Sequence, residues 1–499
     1  MKQWMMLGLT VAGVLWAKAY FPEATPESQG ISSKAIRAWV DAAEKELDAL
    51  HGFVLLRHGK LIAEGYWAPY AQDRTHMLYS HSKSFTATAV GFLVQDGKLD
   101  LDERVAAIFE DKLPANPSDN LLRMRVRDLL TMNTGSEKDS IAPVYMAADG
   151  DWVKAFLAHP VEKDPGTWFV YNTGATYMLS AIVEKRTGEK LMDYLGRKLF
   201  KPTGIASAWT TTCPKGIACG GYGMNMTVRD LATFGQFCLQ KGRWNGEQLL
   251  SEDWMTLMTS KQTETRRNPK SDWGRGYGFQ FWRCVPEGVY RADGARGQYT
   301  IVMPKQDVVL SITAGLADMQ KEIDLVWKHL LPALGEMELP DDSLAQDELK
   351  RKCAALRLAP VKGEKEGAFS VVLGKEYVYE PNPKGIKNVT LSKTDDGWEF
   401  AFDGPFGLQR VPVGYDSWKY GKIKLEKETS EALGALVGDQ PTASSGAWTA
   451  PDTFTCRTYL CGGPSCFDTT LKFTAATLSV DVKFTAMRRP KFKLLGAAK

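Results

Sequence analysis

Histidine is scarce. Six histidines are spread over 499 residues, none in an H-x-x-x-H pair and none beside clustered acids. That removes the histidine-ligated metal hydrolases. G-x-S-x-G is absent, and with it the nucleophile elbow of Ser-His-Asp hydrolases. No P-loop and no dinucleotide glycine pattern appears. Neither a metal nor an organic cofactor is expected. Lys and Arg total 62 against 59 Asp and Glu, for a net charge of +3, and no basic run stands out. No nucleic-acid partner is expected from such a balance. After the first residues, no stretch is apolar enough to cross a bilayer, so the mature protein should have no stable membrane span. Internal repeats and low-complexity segments are also missing.

What remains describes a globular protein: 44% hydrophobic and 24% charged residues. The length suggests two domains, with three as the alternative. The start reads as a targeting segment. Lys2 supplies a thin positive region, "WMMLGLTVAGVLW" an apolar core, and "AKA" at 17–19 a small-x-small cleavage site. Residues 1–19 are therefore expected to be a signal peptide, with the mature chain exported to the periplasm or the exterior. Export permits disulfides, and the eight cysteines are an even count. Cys213 and Cys219 bracket a short Pro/Gly-containing loop. Cys456, Cys461 and Cys466 cluster near the C-terminus without a histidine, so a disulfide within that cluster is expected rather than a metal site. Cys238, Cys284 and Cys353 read as buried thiols.

Residues 51–67 alternate apolar runs around His-Gly-Lys and read as a β-hairpin. "SFTATAVGFLVQDGKL" has helical spacing and stops at Gly97. "RVRDLLTM", "GATYMLSAIVEKRTG" and "VRDLATFGQFCLQKG" are further helices. Residues 297–315 hold two β-rich runs, and "KEIDLVWKHLLPAL" closes the region with a helix. A mixed α/β unit thus occupies 20–338. "ELPDDSLAQDE" opens an acidic linker with a short helix, 339–366. From 367 to 499 the chain reads as short strands between Gly, Pro and Asp-Asp-Gly turns, a second, all-β domain.

"LYSHSKSF" (78–85) places Ser80 three residues before Lys83. At the entry of a helix, Ser80 would have free N–H groups and the positive end of the dipole beside it. Lys83 would face the same side one turn on. In a poorly solvated pocket its pKa would fall, and it could take the serine proton. The bland alternative is a capping serine and a snorkelling lysine, since S-x-x-K also occurs by chance.

Neighbouring blocks weigh against chance. "LYSHSKSFTATAVGFLVQDGKLDLDERV", "RMRVRDLLTMNTG", "PGTWFVYNTGATYMLSAIVEKRTG", "GGYGMNMTVRDLATFGQF" and "WNGEQLLS" occur in that order. Together they resemble the serine β-lactamase and DD-peptidase superfamily, in its class C β-lactamase-like branch, over residues 22–335. The resemblance implies a β-lactamase/transpeptidase-like fold, in which a mostly antiparallel sheet is flanked by helices beside a helical region. It makes Ser80 the nucleophile and Lys83 its partner. Tyr171 takes the position of the Y-x-N tyrosine, with Asn172 next and Thr173 where the family has asparagine. A tyrosine beside a lysine ammonium would have its phenolate favoured, so Tyr171 is also expected to act as base in deacylation.

The third family motif aligns best with Ala292-Asp293-Gly294. Gly294 would keep the wall flat, and the N–H groups of Ser80 and Ala295 would form the oxyanion hole. Thr173, Asn172, Asp293 and Gly294 are expected to bind substrate, and His81 could line the pocket. The motif's cation is missing, and Arg291 or Arg296 need not replace it. With Thr173 in place of asparagine, this argues against a dedicated β-lactamase. Ser118-Asp119-Asn120 matches an S-D-N element but sits in a turn, as a helix cap. The expected activity is that of a secreted serine hydrolase forming an acyl-enzyme on a small ester, amide or peptide, of esterase or D-amino acid peptidase type. The alternative is a binder or sensor that keeps the fold without turnover.

Overall fold

The structure is a computed structural model, and it describes residues 21–370, 373–425, 438–484 and 492–498. The expected signal peptide lies outside the described residues. The chain first builds a six-stranded antiparallel sheet from β1 (Leu50–Arg57), β2 (Lys60–Tyr66), β3 (Trp282–Arg283), β4 (Tyr290–Gly294), β5 (Gln298–Met303) and β6 (Val308–Ala314). Its order is β2-β1-β6-β5-β4-β3. Every residue of β1 is buried. Phe53 and Leu55 face one side and join α1 (Ser33–Glu46), where Phe53 meets Trp39 edge-on at 5.0 Å. Val54 and Leu56 face the other and meet Val228 and Ala232. A strand covered on both sides reads as an unbroken apolar run, which is why "FVLL" shows no alternation.

The second side carries the helical region. α2 (Ser82–Gln95) is buried at every position from Ser82 to Leu93, as expected of a helix at the centre of a large domain. Around it stand α3 (Asp119–Arg123), α4 (Val126–Leu130), α5 (Thr173–Thr187) and α6 (Val228–Leu239). α6 lies so close to the sheet that a Cβ on Gly235 would sit 2.4 Å from Val309 Cγ1. Two further helices, α7 (Met319–Leu325) and α8 (Ser343–Ala354), complete the α1 side.

The C-terminal strands are β7 (Tyr377–Val378), β8 (Asn388–Thr394), β9 (Gly397–Gly404), β10 (Gly407–Gly414), β11 (Lys419–Leu425), β12 (Gly438–Ala450), β13 (Thr453–Leu460), β14 (Cys466–Phe473), β15 (Thr477–Phe484) and β16 (Phe492–Ala498). They form one sheet in the order β10-β9-β8-β7-β16-β15-β14-β13-β12-β11. The sheet closes on itself where Gly414 pairs with Ser445 and where Gln409 and the backbone of Lys424 exchange bonds of 3.3 and 2.6 Å. The result is a barrel.

One expectation is refined and one corrected. The segment 339–366 carries the expected short helix, Ser343–Ala354, and it is no free tether. Lys352 pairs with Asp41 at 2.6 Å and Glu44 at 2.5 Å, and Gln346 donates to Glu27 at 3.0 Å. The strand-like stretch after α8 exchanges backbone bonds with Ala68 through Leu356 and Leu358. α8 is thereby docked on α1, and its Leu349 is buried. Nor is there a disulfide: all eight cysteines are free thiols. Cys456 faces the barrel core, whereas Cys461 and Cys466 face the packing between the two domains. Each has another partner, Cys461 the Tyr459 carbonyl and Cys466 the Tyr459 side chain. Among the described residues no helix is long and apolar enough to cross a membrane.

Docking of α8 makes a stability prediction. Leu349→Ala should cost about 2–5 kcal/mol of unfolding free energy, measured by denaturant titration. It should also expose 343–358 to limited proteolysis, which the native chain should resist.

Candidate active site

Ser80 stands in a 3-10 turn, Tyr79–His81, that runs directly into α2. Tyr79 has φ +47°, a left-handed conformation that costs a bulky L-residue on the order of 1–3 kcal/mol. Several contacts hold it there. The Ser82 hydroxyl donates to the Tyr79 carbonyl at 2.6 Å and accepts from Met224 N–H at 3.1 Å. The Tyr79 phenol is hydrogen-bonded to the Ser465 side chain, at the tip of the barrel's β13–β14 hairpin. The same tip accepts from Met77 N–H at Gly462 O (2.9 Å) and from the Tyr70 hydroxyl at Gly463 O (2.8 Å). The nucleophile turn is therefore braced from both domains.

Lys83, one turn into the helix, is 1% exposed. Its ammonium donates to Ser80 Oγ at 3.0 Å, to Thr173 Oγ1 at 3.3 Å and to Gly221 O at 2.8 Å. Among the described residues it has no ion-pair partner. Burial lowers its pKa to about 7, against the more distant charges of Asp139 and Asp293, which raise it. Burial wins because desolvation of an ammonium outweighs Coulomb attraction at a distance. At neutral pH the amine is thus partly unprotonated, a base within hydrogen-bond reach of a hydroxyl.

Tyr171 bonds to Ser80 through its side chain. Its ring stacks on Trp282, with centroids 5.5 Å apart, and carries Lys83 Nζ 4.9 Å from its centre. Burial raises its pKa, the Ser80 bond opposes this, and Asp293 and Asp139 raise it further. The phenol stays protonated. The base role expected of Tyr171 in deacylation therefore needs an ionisation that burial opposes.

The end of β4 closes the site. A Cβ on Gly294 would fall 2.0 Å from Leu78 O and 3.2 Å from His81 N. Only glycine lets this strand end approach the nucleophile turn. Asp293 is nearly buried and takes Arg291 Nε at 2.9 Å as well as the Trp273 side chain. Burial raises its pKa and Arg291 opposes this. Arg291 is 0% exposed and is committed to Asp293.

Other expectations fare differently. Thr173 touches the lysine, but Asn172 does not reach the site. It is fully buried and N-caps α5, accepting from Ala175 N–H at 3.3 Å and from the Ser140 hydroxyl at 2.7 Å. His81 also points away. It is buried against Thr300 Oγ1 at 2.9 Å, and burial lowers its pKa to about 3. Ser118 caps α3, accepting from Leu121 N–H at 3.2 Å. Four contributors were not foreseen: Gly221, Asp139, Ser465 and Trp282. The Gly220-Gly221 pair was the available signal for the first, since a Cβ on Gly221 would lie 2.8 Å from Thr173 Cγ2. Asp139 accepts from Thr173 N–H at 2.8 Å and fixes the start of α5.

Comparison with known proteins identifies the family and the fold. The sequence model of the family described as Beta-lactamase matches residues 40–327. A 6-aminohexanoate-dimer hydrolase from Paenarthrobacter ureafaciens is 26% identical over 309 residues, 58% of this chain and 78% of that protein. Penicillin-binding protein 4 from Amycolatopsis lactamdurans is 25% identical, over 52% of this chain and 77% of that one. The octameric penicillin-binding protein homologue from Pyrococcus abyssi is similar in structure, with TM-score 0.50 and 17% identity. That likeness covers 93% of this chain and 99% of the other, so the fold is shared through the barrel.

The geometry separates Ser80 from its neighbours. Ser80→Ala should abolish covalent labelling by a fluorophosphonate probe, read by intact mass. Ser82→Ala should keep labelling while losing about 1–3 kcal/mol of stability, because its hydroxyl ties Tyr79 to Met224.

Proposed function

We propose that this chain, which belongs to the beta-lactamase family over residues 40–327, is a serine hydrolase that cleaves small esters and linear amides through an acyl-enzyme. The observation that carries the reading is the buried Lys83, 3.0 Å from Ser80 Oγ with a pKa lowered to about 7. Neutral Lys83 accepts the Ser80 proton as Oγ attacks the carbonyl carbon. The amides of Ser80 and Ala295 hold the oxyanion. Tyr171, a phenol bonded to Ser80, gives its proton to the leaving group and is recharged from Lys83. Water then attacks the acyl-enzyme, Lys83 takes its proton, and Ser80 regains it as the acid leaves.

The walls support a neutral acyl group. Trp282 and Tyr171 present aromatic faces, and the Arg291 charge is spent on Asp293. At the rim, the Arg267 guanidinium lies 5.6 Å from the Trp282 ring centre. A relative named for hydrolysing the 6-aminohexanoate dimer supports a small linear amide, with D-amino acid peptides second. A relative named as a penicillin-binding protein keeps open the second reading, acylation without turnover. Fluorophosphonate labelling with steady-state hydrolysis supports the first reading, and labelling without turnover the second. Export belongs to the same proposal. It rests on Lys2, the apolar segment and "AKA", and N-terminal sequencing of the secreted chain tests it.

The lysine sets the pH dependence. Protonated Lys83 cannot accept the serine proton, so kcat/KM for p-nitrophenyl acetate should rise with pH through an apparent pKa of about 7. Lys83→Ala should lower kcat/KM by about 10²–10⁴-fold and remove that limb. Substrate choice follows from the missing wall cation. Short neutral esters should be turned over, while nitrocefin should stay below roughly 10⁴ M⁻¹s⁻¹. A higher nitrocefin value would show that a cation reaches the substrate carboxylate after all, with Arg267 the first residue to replace.

A further inference from the structure

The rim of the active site carries cations that meet no counter-charge among the described residues. They sit on the loop 264–276, which leaves and returns at one point: Thr263 and Tyr277 exchange backbone hydrogen bonds of 3.1 and 3.0 Å. Tyr277 packs edge-on against Tyr171 and Trp282, with ring centroids 6.2 and 4.8 Å away. The base of the loop is thus anchored beside the catalytic phenol. Within it, the buried Thr265 donates its hydroxyl to Trp273 O at 2.6 Å. The next residue, Arg266, has φ +57°, a left-handed conformation that an L-residue keeps only under constraint. Around that turn the Arg266 guanidinium lies 3.4 Å from the Trp168 ring centre, and that of Arg267 lies 5.6 Å from the Trp282 ring centre. The loop's own acids are engaged elsewhere. Glu264 pairs with Lys261, and the buried Asp272 accepts from Val285 N–H at 2.8 Å and from the Gln320 side chain at 2.7 Å. Among the described residues Arg267 has neither an ion pair nor a hydrogen bond; its contact is the indole. A guanidinium laid over a ring is held by its face and keeps the N–H groups of its edge. Those edges fit a carboxylate two bonds at a time.

Lys83, Tyr171, Trp282 and Arg267 form a row. Lys83 Nζ is 4.9 Å from the Tyr171 ring centre, Tyr171 is 5.5 Å from Trp282, and Trp282 is 5.6 Å from the Arg267 guanidinium. Lys83 is buried and Arg267 exposed, so the row runs from the reacting atoms to the rim. The field of the guanidinium still reaches the phenol: burial raises the Tyr171 pKa, and the Arg267 charge opposes that. Tyr171 protonates the leaving group in the acyl-enzyme mechanism, on which this inference rests, so the row lies on the leaving-group side. We propose that Arg267 sets specificity there by receiving a carboxylate carried on the leaving group, several bonds from the scissile one. The substrate class is then a linear ester or amide with a neutral acyl part and an anionic tail on the part that departs. A carboxylate fixed close to the scissile bond stops short of the rim. A neutral tail forgoes the guanidinium, and a cationic one is repelled by it.

Three acetate esters of one phenol framework test this on the full chain. The phenol carries a propanoate tail, the matching carboxamide, or a trimethylammonium tail of the same length. The saturated side chain insulates the phenol from the tail, so the three leaving groups have similar reactivity. The kcat/KM should fall in the order carboxylate, carboxamide, trimethylammonium, with about three- to ten-fold between the first two. The gap should close as salt is added. It should lie in KM, because the tail is held alike in the ground and transition states. Arg267→Gln should bring the ratio of carboxylate to carboxamide close to one, and Arg267→Lys should keep part of it. Lys270→Gln removes the same charge from the same loop and should keep the whole ratio. A damaged fold would slow the three esters alike and leave the ratio standing. Equal kcat/KM for the three tails, or an unchanged ratio in Arg267→Gln, overturns the assignment and leaves the hydrolase intact. An equal loss of the ratio in Lys270→Gln also overturns it, since the loop's diffuse charge would then suffice. Absence of turnover for every ester overturns the hydrolase mechanism and this proposal with it.

Discussion

An amine without a counter-charge, buried beside a hydroxyl, is the constraint that the catalytic domain is organised around. Among the described residues Lys83 has three acceptors and no ion-pair partner. Unfolded, a lysine titrates near 10.4; folded, this one sits near 7. Between those values the unfolded chain binds the extra proton, so this group's contribution to stability rises with pH across that window. Below pH 7 the penalty is complete, on the order of 5 kcal/mol. A helix buried on all sides and a tight sheet offset it. The site is poised because the surrounding fold can hold a lysine where it is poorly solvated.

The serine opposite is held by a second device, and that one spans both domains. Tyr79 adopts a left-handed conformation that its own sequence does not favour. Ser82 fixes its carbonyl from below, Gly294 lets the strand end press against the turn, and Ser465 takes its phenol from the barrel. The β13–β14 hairpin that carries Ser465 also turns Phe467 against the barrel core two residues later. The barrel is therefore a structural partner of the nucleophile turn.

The legible parts of the sequence were local. Ser80 and Lys83 lie one helical turn apart, so their meeting follows from helix geometry alone. The hairpin at 51–67 and the long helices carry their own periodicity. Tyr171 was reachable only through family resemblance, because nothing near it points ninety residues back to Lys83. Asn172 was misassigned because a helix-capping asparagine and a substrate-binding one look alike in sequence; only the position of Ser140 decides. Arg291 and Asp293, two apart on one strand, share a face by period two and neutralise each other, which an alignment of motifs does not reveal. The linker looked free because acidic and basic residues are common in exposed segments. Its partners, Asp41 and Glu44 for Lys352, are three hundred residues away. Asp139 and Ser465 left no local trace for the same reason.

The two groups nearest Ser80 are driven in opposite directions by the same burial. Desolvation penalises a charge of either sign, so it lowers the lysine and raises the tyrosine. A base that is partly neutral near pH 7 and an acid that stays neutral result, and neither needs a carboxylate to define its role. Had Lys83 been paired with an acid, it would have stayed an ammonium and Tyr171 would have had to ionise instead. Asp139 and Asp293 are the acids whose charge reaches Lys83: Asp139 accepts from Thr173 N–H, and Arg291 holds Asp293. The buried ion pair on β4 therefore acts on the chemistry without touching the reacting atoms, because it keeps the carboxylate from claiming the lysine proton.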